Sequence, residues 1–552
     1  MKTLTRPLTL VWLSASLAYL AIGGALSLRY GYLMGDALAR VSSVESVLYS
    51  RDPHLAALGF IFTPLTALLQ LPLVALSPLV PEITRWGLSG VIISAVFMGA
   101  AVAQIWGIAT DRGVPRGVCF AVAVLVALNP MIVFYGANGM SEAPFLFFVL
   151  WATRRLLRWL YTDDVDDLVV AGIALAGAYL TRYDAIVVVG AAVGIMSVIC
   201  VRRGSSGWRV RGAVLDIVIL ALPFIVALVL WAGASWILTG EAFAQFSSQY
   251  GNTAILEAAG VVDIDPVEGL MFSVTEIVLL SAALPALLPV SIALAIRRRE
   301  LDVALPLALC GSVLAFQTFA YSNGMTFPFL RFYICAVPLA ALLALHLWRR
   351  TVVPEARRPG EFPATPAVVS PTPRFGGARL WGVAALAASL PITAAGMLHP
   401  TLSSQQFGLI SILPVPVGAT AQAQVDADAI ARSFSTERRL ADYLDAQDLP
   451  DGSVLTDTVY GFAVVVASSR PRQFVIPSDG DFVTILNDPV SHGVRYLLAV
   501  PNDGRGATDA LNRRYPTLYE NGAQIATLEL EVPNDGFQQP PWRLYRVSPE
   551  VE

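Results

Sequence analysis

Lysine is all but missing: Lys2 is the only one in 552 residues, so positive charge is written in arginine. Charge of either sign is scarce at 14% of residues, where a soluble domain carries about a quarter. That scarcity excludes a chain solvated mainly by water. The four cysteines, Cys119, Cys200, Cys310 and Cys335, all fall in or beside apolar stretches, which excludes a disulfide framework and a zinc-ligand spacing. The stretch beyond His399 holds no glycine-rich phosphate loop and no internal repeat. The apolar run after Lys2 and Arg6 lacks a small-residue cleavage site, so it reads as a retained first helix rather than a signal peptide.

What is abundant is apolar: 55% of residues are hydrophobic, and the mean hydropathy is +0.62. Runs near bilayer length predict eleven crossings, at 8–28, 86–107, 117–134, 143–153, 168–180, 185–201, 214–238, 274–296, 303–321, 329–347 and 380–398. With the N-terminus inside, every second loop is cytoplasmic. Those loops hold Arg112 and Arg116, then Arg154, Arg155 and Arg158, then the arginines of 202–211, 297–299 and 349–379, as the positive-inside rule requires. The apolar segment 62–79 is punctuated by Pro64, Pro72 and Pro78, and a crossing there would invert every later loop. It reads as interfacial or re-entrant.

The expected architecture is an α-helical polytopic membrane protein with a C-terminal soluble α/β domain. The boundaries are 1–350 for the transmembrane module, with a first outside loop at 29–85, then 351–379 for a cytoplasmic proline-rich linker, 380–398 for the last helix and 399–552 for the extracytoplasmic domain. In that last part strand-like runs at 453–455, 473–476, 494–500, 525–532 and 542–547 alternate with helical patterns at 427–446 and 509–515. From Pro400 onward there are 11 Arg against 19 Asp and Glu, which makes nucleic acid an unsuitable partner.

Residues that could carry chemistry gather on the predicted outer side. Asp36 follows the first span, under what reads as a roof of interfacial segments, where partial desolvation prepares a carboxylate for general-base work. Asp36 and Arg40, four apart, read equally well as an ordinary ion pair on one helix face. Arg331 and Arg182 stand at outer helix ends. Each suits a phosphate through two-pronged hydrogen bonding, and each also reads as an interfacial side chain snorkelling to water. Glu142 lies in the second outside turn, where it is equally a helix N-terminal residue beside Ser141. His54 reads as a phosphate contact or a loop-turn residue, and Tyr32, Tyr183 and Tyr250 as sugar platforms by sidedness. In the tail, Asp457, Tyr460, Asp479 and Asp481 read as acceptor contacts or as solubilising residues.

Taken in order, Asp36, then His54 and Thr63-Pro64-Leu65, then Met140-Ser141-Glu142, then Leu180-Thr181-Arg182-Tyr183, then Phe329-Leu330-Arg331-Phe332-Tyr333 with Pro338, resemble the GT-C superfamily of polyprenyl-phosphate-sugar-dependent glycosyltransferases, among them mannosyltransferase- and arabinosyltransferase-like membrane enzymes. The layout covers roughly 1–350, and each motif is short. The chain departs from the oligosaccharyltransferase members in having no Asp-x-Asp motif in its first loop, which fits transfer of a single sugar better.

The resemblance implies a GT-C-like fold and an inverting transfer from a polyprenyl-phosphate sugar to an acceptor hydroxyl outside the cell membrane. Asp36 would be the base, and Arg331, Arg182, Arg40 and His54 would attend the donor phosphate. Glu142, Tyr183 and Tyr32 would face acceptor or sugar. Neither cofactor nor metal is expected beyond the lipid-linked donor, and the acceptor is a glycan, glycolipid or protein. The rival expectations are a transporter or flippase for a lipid-linked envelope precursor, for which repeated halves and mid-membrane charges are missing from the sequence, and a non-catalytic envelope scaffold.

Overall fold

The computed structural model describes residues 2–203, 207–248, 251, 254–256, 264–348, 376–413 and 421–548. The expected linker, up to residue 375, lies outside the described residues, as does Tyr250. The described residues up to Met397 are mainly helical, with a small α/β domain after them. Each of the eleven expected spans coincides with a helix or a bent helix pair. Among the described residues, six helices are long and apolar enough to cross a membrane, or eight if each bent pair counts once, against the eleven expected. The difference has local causes. Glu142–Thr162 carries Glu142 and three arginines, Val165–Thr181 has 17 residues, and the apolar part of the next helix ends at Val201. The chain is a multi-pass membrane protein.

Both bends follow from helix-starting residues inside apolar runs. Asn129 accepts the Met131 N–H and Pro130 starts a new helix, so Arg116–Ala127 and Pro130–Gly136 meet at 66°. Pro285 starts the second half of the other pair, Pro266–Leu280 with Leu284–Arg298, bent by 84°. The first helix, Lys2–Gly24, lies against Leu88–Asp111 at Gly99, where an added Cβ would fall 2.2 Å from the Ser16 hydroxyl. Small residues at such crossings let helix backbones approach closely within a membrane.

The segment 62–79 breaks into short helices, Leu65–Leu68 and Leu71–Val74, with proline-bearing turns after them, and does not form one span. Before it stands Gly35–Tyr49, a helix lying outside the spans. The C-terminal domain docks on this loop. Arg51 pairs with Asp479 at 3.1 Å and with Asp481, Asp52 accepts the Gly480 N–H at 2.9 Å, and Arg85 reaches both oxygens of Asp442 at 2.7 and 2.9 Å.

In that domain β1 (Val454–Leu455), β2 (Phe474–Val475), β3 (Tyr496–Ala499), β4 (Ala526–Val532) and β5 (Trp542–Val547) form one sheet in the order β2-β1-β3-β5-β4. β1 runs parallel to β2 and β3, whereas β5 is antiparallel to β3 and β4. The helical pattern at 427–446 is two helices, Ala421–Ala431 and Ser435–Asp445. Thr458–Ala467 is a helix that the strand-like valines concealed.

Two buried carboxylates, Asp457 and Asp509, cap adjacent helices there. Burial, then the charge of Asp457, pushes the Asp509 carboxyl well above the usual range. The folded domain therefore holds a proton that the unfolded chain releases. Stability from that proton is complete below the unfolded value of about 3.9 and is lost as pH rises through the raised folded one. Asp509→Asn, which keeps the cap, is expected to make the domain more resistant to pulse proteolysis at pH 8 than wild type and little changed at pH 4. Equal resistance of the two proteins at pH 8 would show that Asp509 is not held protonated.

Candidate active site

Five chain segments bring their ends together beside the docked domain. Asp36 sits in the first turn of Gly35–Tyr49, and Glu142 in the first turn of Glu142–Thr162, where a carboxylate is favoured by the exposed amides. Arg182 ends Val165–Thr181, Asp184 precedes the helix from Ala185, and Arg331 lies in the 3-10 turn Leu330–Tyr333. Gly139, at φ 79°, lets the turn before Glu142 press on the Asp36 helix. A Cβ there would sit 3.2 Å from the Ala37 Cβ.

The side chains interlock. Arg331 donates from Nη2 to Asp36 Oδ2 at 2.9 Å, although the two are 295 positions apart, and its Nε lies 3.8 Å from Glu142 Oε1. Arg182 donates to Glu142 Oε1 at 2.8 Å and to Asp184 Oδ2 at 2.6 Å, and Gln317 donates to the same Asp184 oxygen at 2.9 Å. Arg40 donates to the backbone carbonyl of Asp36 at 3.0 Å and stacks 4.2 Å over Phe62. The i, i+4 pair therefore does not join Arg40 to the Asp36 carboxylate, which Arg331 occupies. Phe329 and Phe332 face the Arg331 guanidinium at 5.0 and 5.2 Å.

Electrostatics keep Asp36 and Arg182 ionised. Burial works to raise the Asp36 carboxyl, but the charges of Arg331 and Arg40 and the Arg331 hydrogen bond together outweigh it, leaving Asp36 below the usual carboxylate range. Burial lowers the Arg40 guanidinium to about 10 despite Asp36 and Glu142. Arg182 goes the other way: burial disfavours its charge, yet Asp184 and Glu142 hold it up. The Asp36 side chain is 41% exposed while those of Arg331 and Glu142 are 7% and 1%, so the acid is the accessible end of a buried chain of charges. Glu142 Oε2 and Arg331 Nε are buried without a hydrogen-bond partner, leaving one acceptor and one donor beside a small cleft between Arg182, Asp184 and Arg331.

Asp36, Arg331, Arg182, Glu142 and Arg40 thus converge; His54 and the two tyrosines are engaged elsewhere. His54 bonds the Asp52 carbonyl at 2.8 Å, in the stretch that meets the C-terminal domain. Tyr32 is buried, its hydroxyl donating to the Gln405 carbonyl at 2.5 Å. The Tyr183 hydroxyl accepts from Trp231 at 3.1 Å and donates to the Phe60 carbonyl. Asp184 and Gln317 belong to the cluster without having been marked by any motif. No group of three histidine, cysteine, aspartate or glutamate side chains placed to hold a metal occurs among the described residues.

Residues 79–231 match the protein family described as dolichyl-phosphate-mannose-protein mannosyltransferase. The match is to this part of the chain only, and it is a likeness to a family of glycosyltransferases. Glu142, Arg182 and Asp184 lie within the matched segment; Asp36 and Arg331 flank it on either side. Solved structures of the archaeal oligosaccharyltransferase from Archaeoglobus fulgidus are similar at low level. One, the AglB complex with an inhibitory peptide and a dolichol-phosphate, has 12% identity, covers 89% of this chain and 69% of its own, and gives a TM-score of 0.43. Another, with zinc and sulfate, has 11% identity over 89% and 68% at a TM-score of 0.40. At those scores the likeness carries no weight here. No curated protein sequence matches the chain.

Proposed function

We propose that the protein moves one sugar, with inversion, from a polyprenyl-phosphate donor to an acceptor hydroxyl at the non-cytoplasmic face. The observation that carries this reading is the Asp36–Arg331 contact: an accessible carboxylate tied to a buried guanidinium, both at one end of the helices. Sidedness is supported by the opposite end. Arg112 pairs with Asp302 at 2.8 Å and approaches His346 at 3.2 Å, where three helices finish or start, so residues assigned to cytoplasmic loops gather there.

In this scheme the acceptor oxygen attacks the anomeric carbon and Asp36 takes its proton. The bond from that carbon to the phosphate oxygen breaks, and polyprenyl phosphate departs against Arg331 and Arg182. Glu142 holds both guanidiniums in place. A bound donor phosphate competes for Arg331, which loosens its hold on Asp36 and strengthens the base only once donor is present.

The decisive assay supplies purified protein in nanodiscs with polyprenyl-phosphate sugars and looks for sugar transfer by mass spectrometry. No donor-dependent transfer across a panel of sugars and acceptors would sink the reading, as would a reporter behind the first helix found in the cytosol. The pH profile carries the finer point. Because arginine holds Asp36 ionised in the free enzyme, kcat/KM should persist to lower pH than kcat, whose acid limb reports the donor complex. Coincident limbs would remove the proposed release of Asp36.

A further inference from the structure

The arginines at the heart of the site are already engaged: Arg331 by Asp36 and Glu142, Arg182 by Glu142 and Asp184, and Arg40 by the Asp36 backbone carbonyl and the Phe62 ring. An arriving phosphate brings one or two further negative charges, and a cluster so evenly matched offers it little net attraction. A further cation without a carboxylate partner, and unlike Arg40 an exposed one, stands on the C-terminal domain. Arg505 is exposed, and among the described residues it makes no ion pair; its guanidinium lies 5.3 Å from the centre of the Tyr460 ring.

Its position is braced from two sides. Asp457 caps the Thr458–Ala467 helix through the Val459 N–H at 2.8 Å and takes the Ala510 N–H at 2.7 Å, so the Arg505 turn is held to the start of that helix. Asn512 donates to the Gly506 carbonyl at 2.9 Å and to the Val500 carbonyl at 3.0 Å, closing the turn from inside. The same helix places Ala463 and Val466 on Leu38 and Val41 of the Asp36 helix, in one apolar cluster with Phe434. Asp36 lies in the first turn of one helix and Tyr460 in the first turn of the other. The Arg505 charge also lowers the Asp36 carboxyl, after burial and the contributions of Arg331 and Arg40.

We infer that the Arg505–Tyr460 edge of the C-terminal domain is an anion subsite that completes the Asp36 site, with Arg505 bonding a phosphate oxygen. The inference rests on the transferase reading in that the phosphate is either that of the lipid donor or one carried by the acceptor. In both cases the chemistry is the same: a guanidinium, pre-oriented by a ring, donates two parallel hydrogen bonds to phosphate oxygens. The soluble domain is then part of the substrate site and not only a load on the first loop.

The test uses the full chain in nanodiscs of zwitterionic lipid with two probes, polyprenyl monophosphate without sugar and a soluble phosphate monoester. Both affinities are measured for wild type, Arg505→Ala, Arg505→Lys and Tyr460→Leu. Arg505 is exposed, so its replacements are expected to fold, and proteolysis at the domain seam checks docking. Arg505→Ala should weaken one probe about tenfold, Arg505→Lys less, and Tyr460→Leu to an intermediate degree. Loss with the lipid probe assigns the donor phosphate, and loss with the soluble probe alone assigns an acceptor anion. If wild type binds either probe and Arg505→Ala binds both as well as wild type, the subsite is overturned and the transferase reading stands. Wild type binding neither probe overturns both.

Discussion

Replacing Asp36 with asparagine is expected to lower kcat by about two to four orders of magnitude, with the donor KM changed only a few-fold. Asparagine matches the carboxylate in shape and keeps an oxygen facing Arg331 Nη2, now at 2.9 Å from Asp36 Oδ2. It removes the charge and the basicity, so the chemical step loses its proton acceptor while the donor still finds its phosphate contacts. The side chain is 41% exposed and belongs to an extramembrane helix whose packing runs through Leu38 and Val41, so the variant should fold and keep the C-terminal domain docked. Transfer measured on protein of unchanged elution and unchanged donor affinity isolates the step. A rate within a few-fold of wild type would mean that another group accepts the proton. Glu142, buried and with one oxygen unpartnered, would then be the first to replace.

Much of this arrangement was legible in the sequence because membranes impose simple rules. Apolar runs of bilayer length coincide with helices, and arginine parity sorted the loops so that Asp36, Glu142, Arg182 and Arg331 fell on one side, where they meet. Strand-like runs in the tail became the five strands. What was hidden depended on partners remote in the chain. Asp184 looked like an ordinary loop residue because its partner Gln317 is 133 positions away. The four-residue spacing of Asp36 and Arg40 suggested an ion pair, but Arg331, unseen from that spacing, takes the carboxylate and leaves Arg40 with the backbone carbonyl. Tyr32 and Tyr183 were singled out by sidedness, which says nothing of the carbonyls that take up their hydroxyls. Val464, Val465 and Val466 favour a strand, yet they lie in the helix docked on the Asp36 segment, because packing of Val466 against Leu38 and Val41 and of Val464 and Val465 in the domain core outweighs β-branched propensity.

Arg331→Ala should be the more damaging change and should act on binding as well as rate. Removing a buried guanidinium strands Glu142, already short of one partner, and frees Asp36 from its nearest cation. Affinity for polyprenyl phosphate is expected to fall by about one to two orders of magnitude, and kcat to fall as well because the leaving phosphate loses its nearest charge. Arg331→Lys separates charge from geometry. A lysine keeps the charge but cannot span Asp36 and a phosphate with a planar fork, so part of the binding should return while the rate stays low. Asp36 and Arg331 touch, so their effects should not add: in Asp36→Asn with Arg331→Lys the combined loss should be smaller than the product of the two single losses. If the losses multiply independently, the contact is incidental to transfer. If Arg331→Ala binds polyprenyl phosphate as wild type does, the phosphate lies elsewhere.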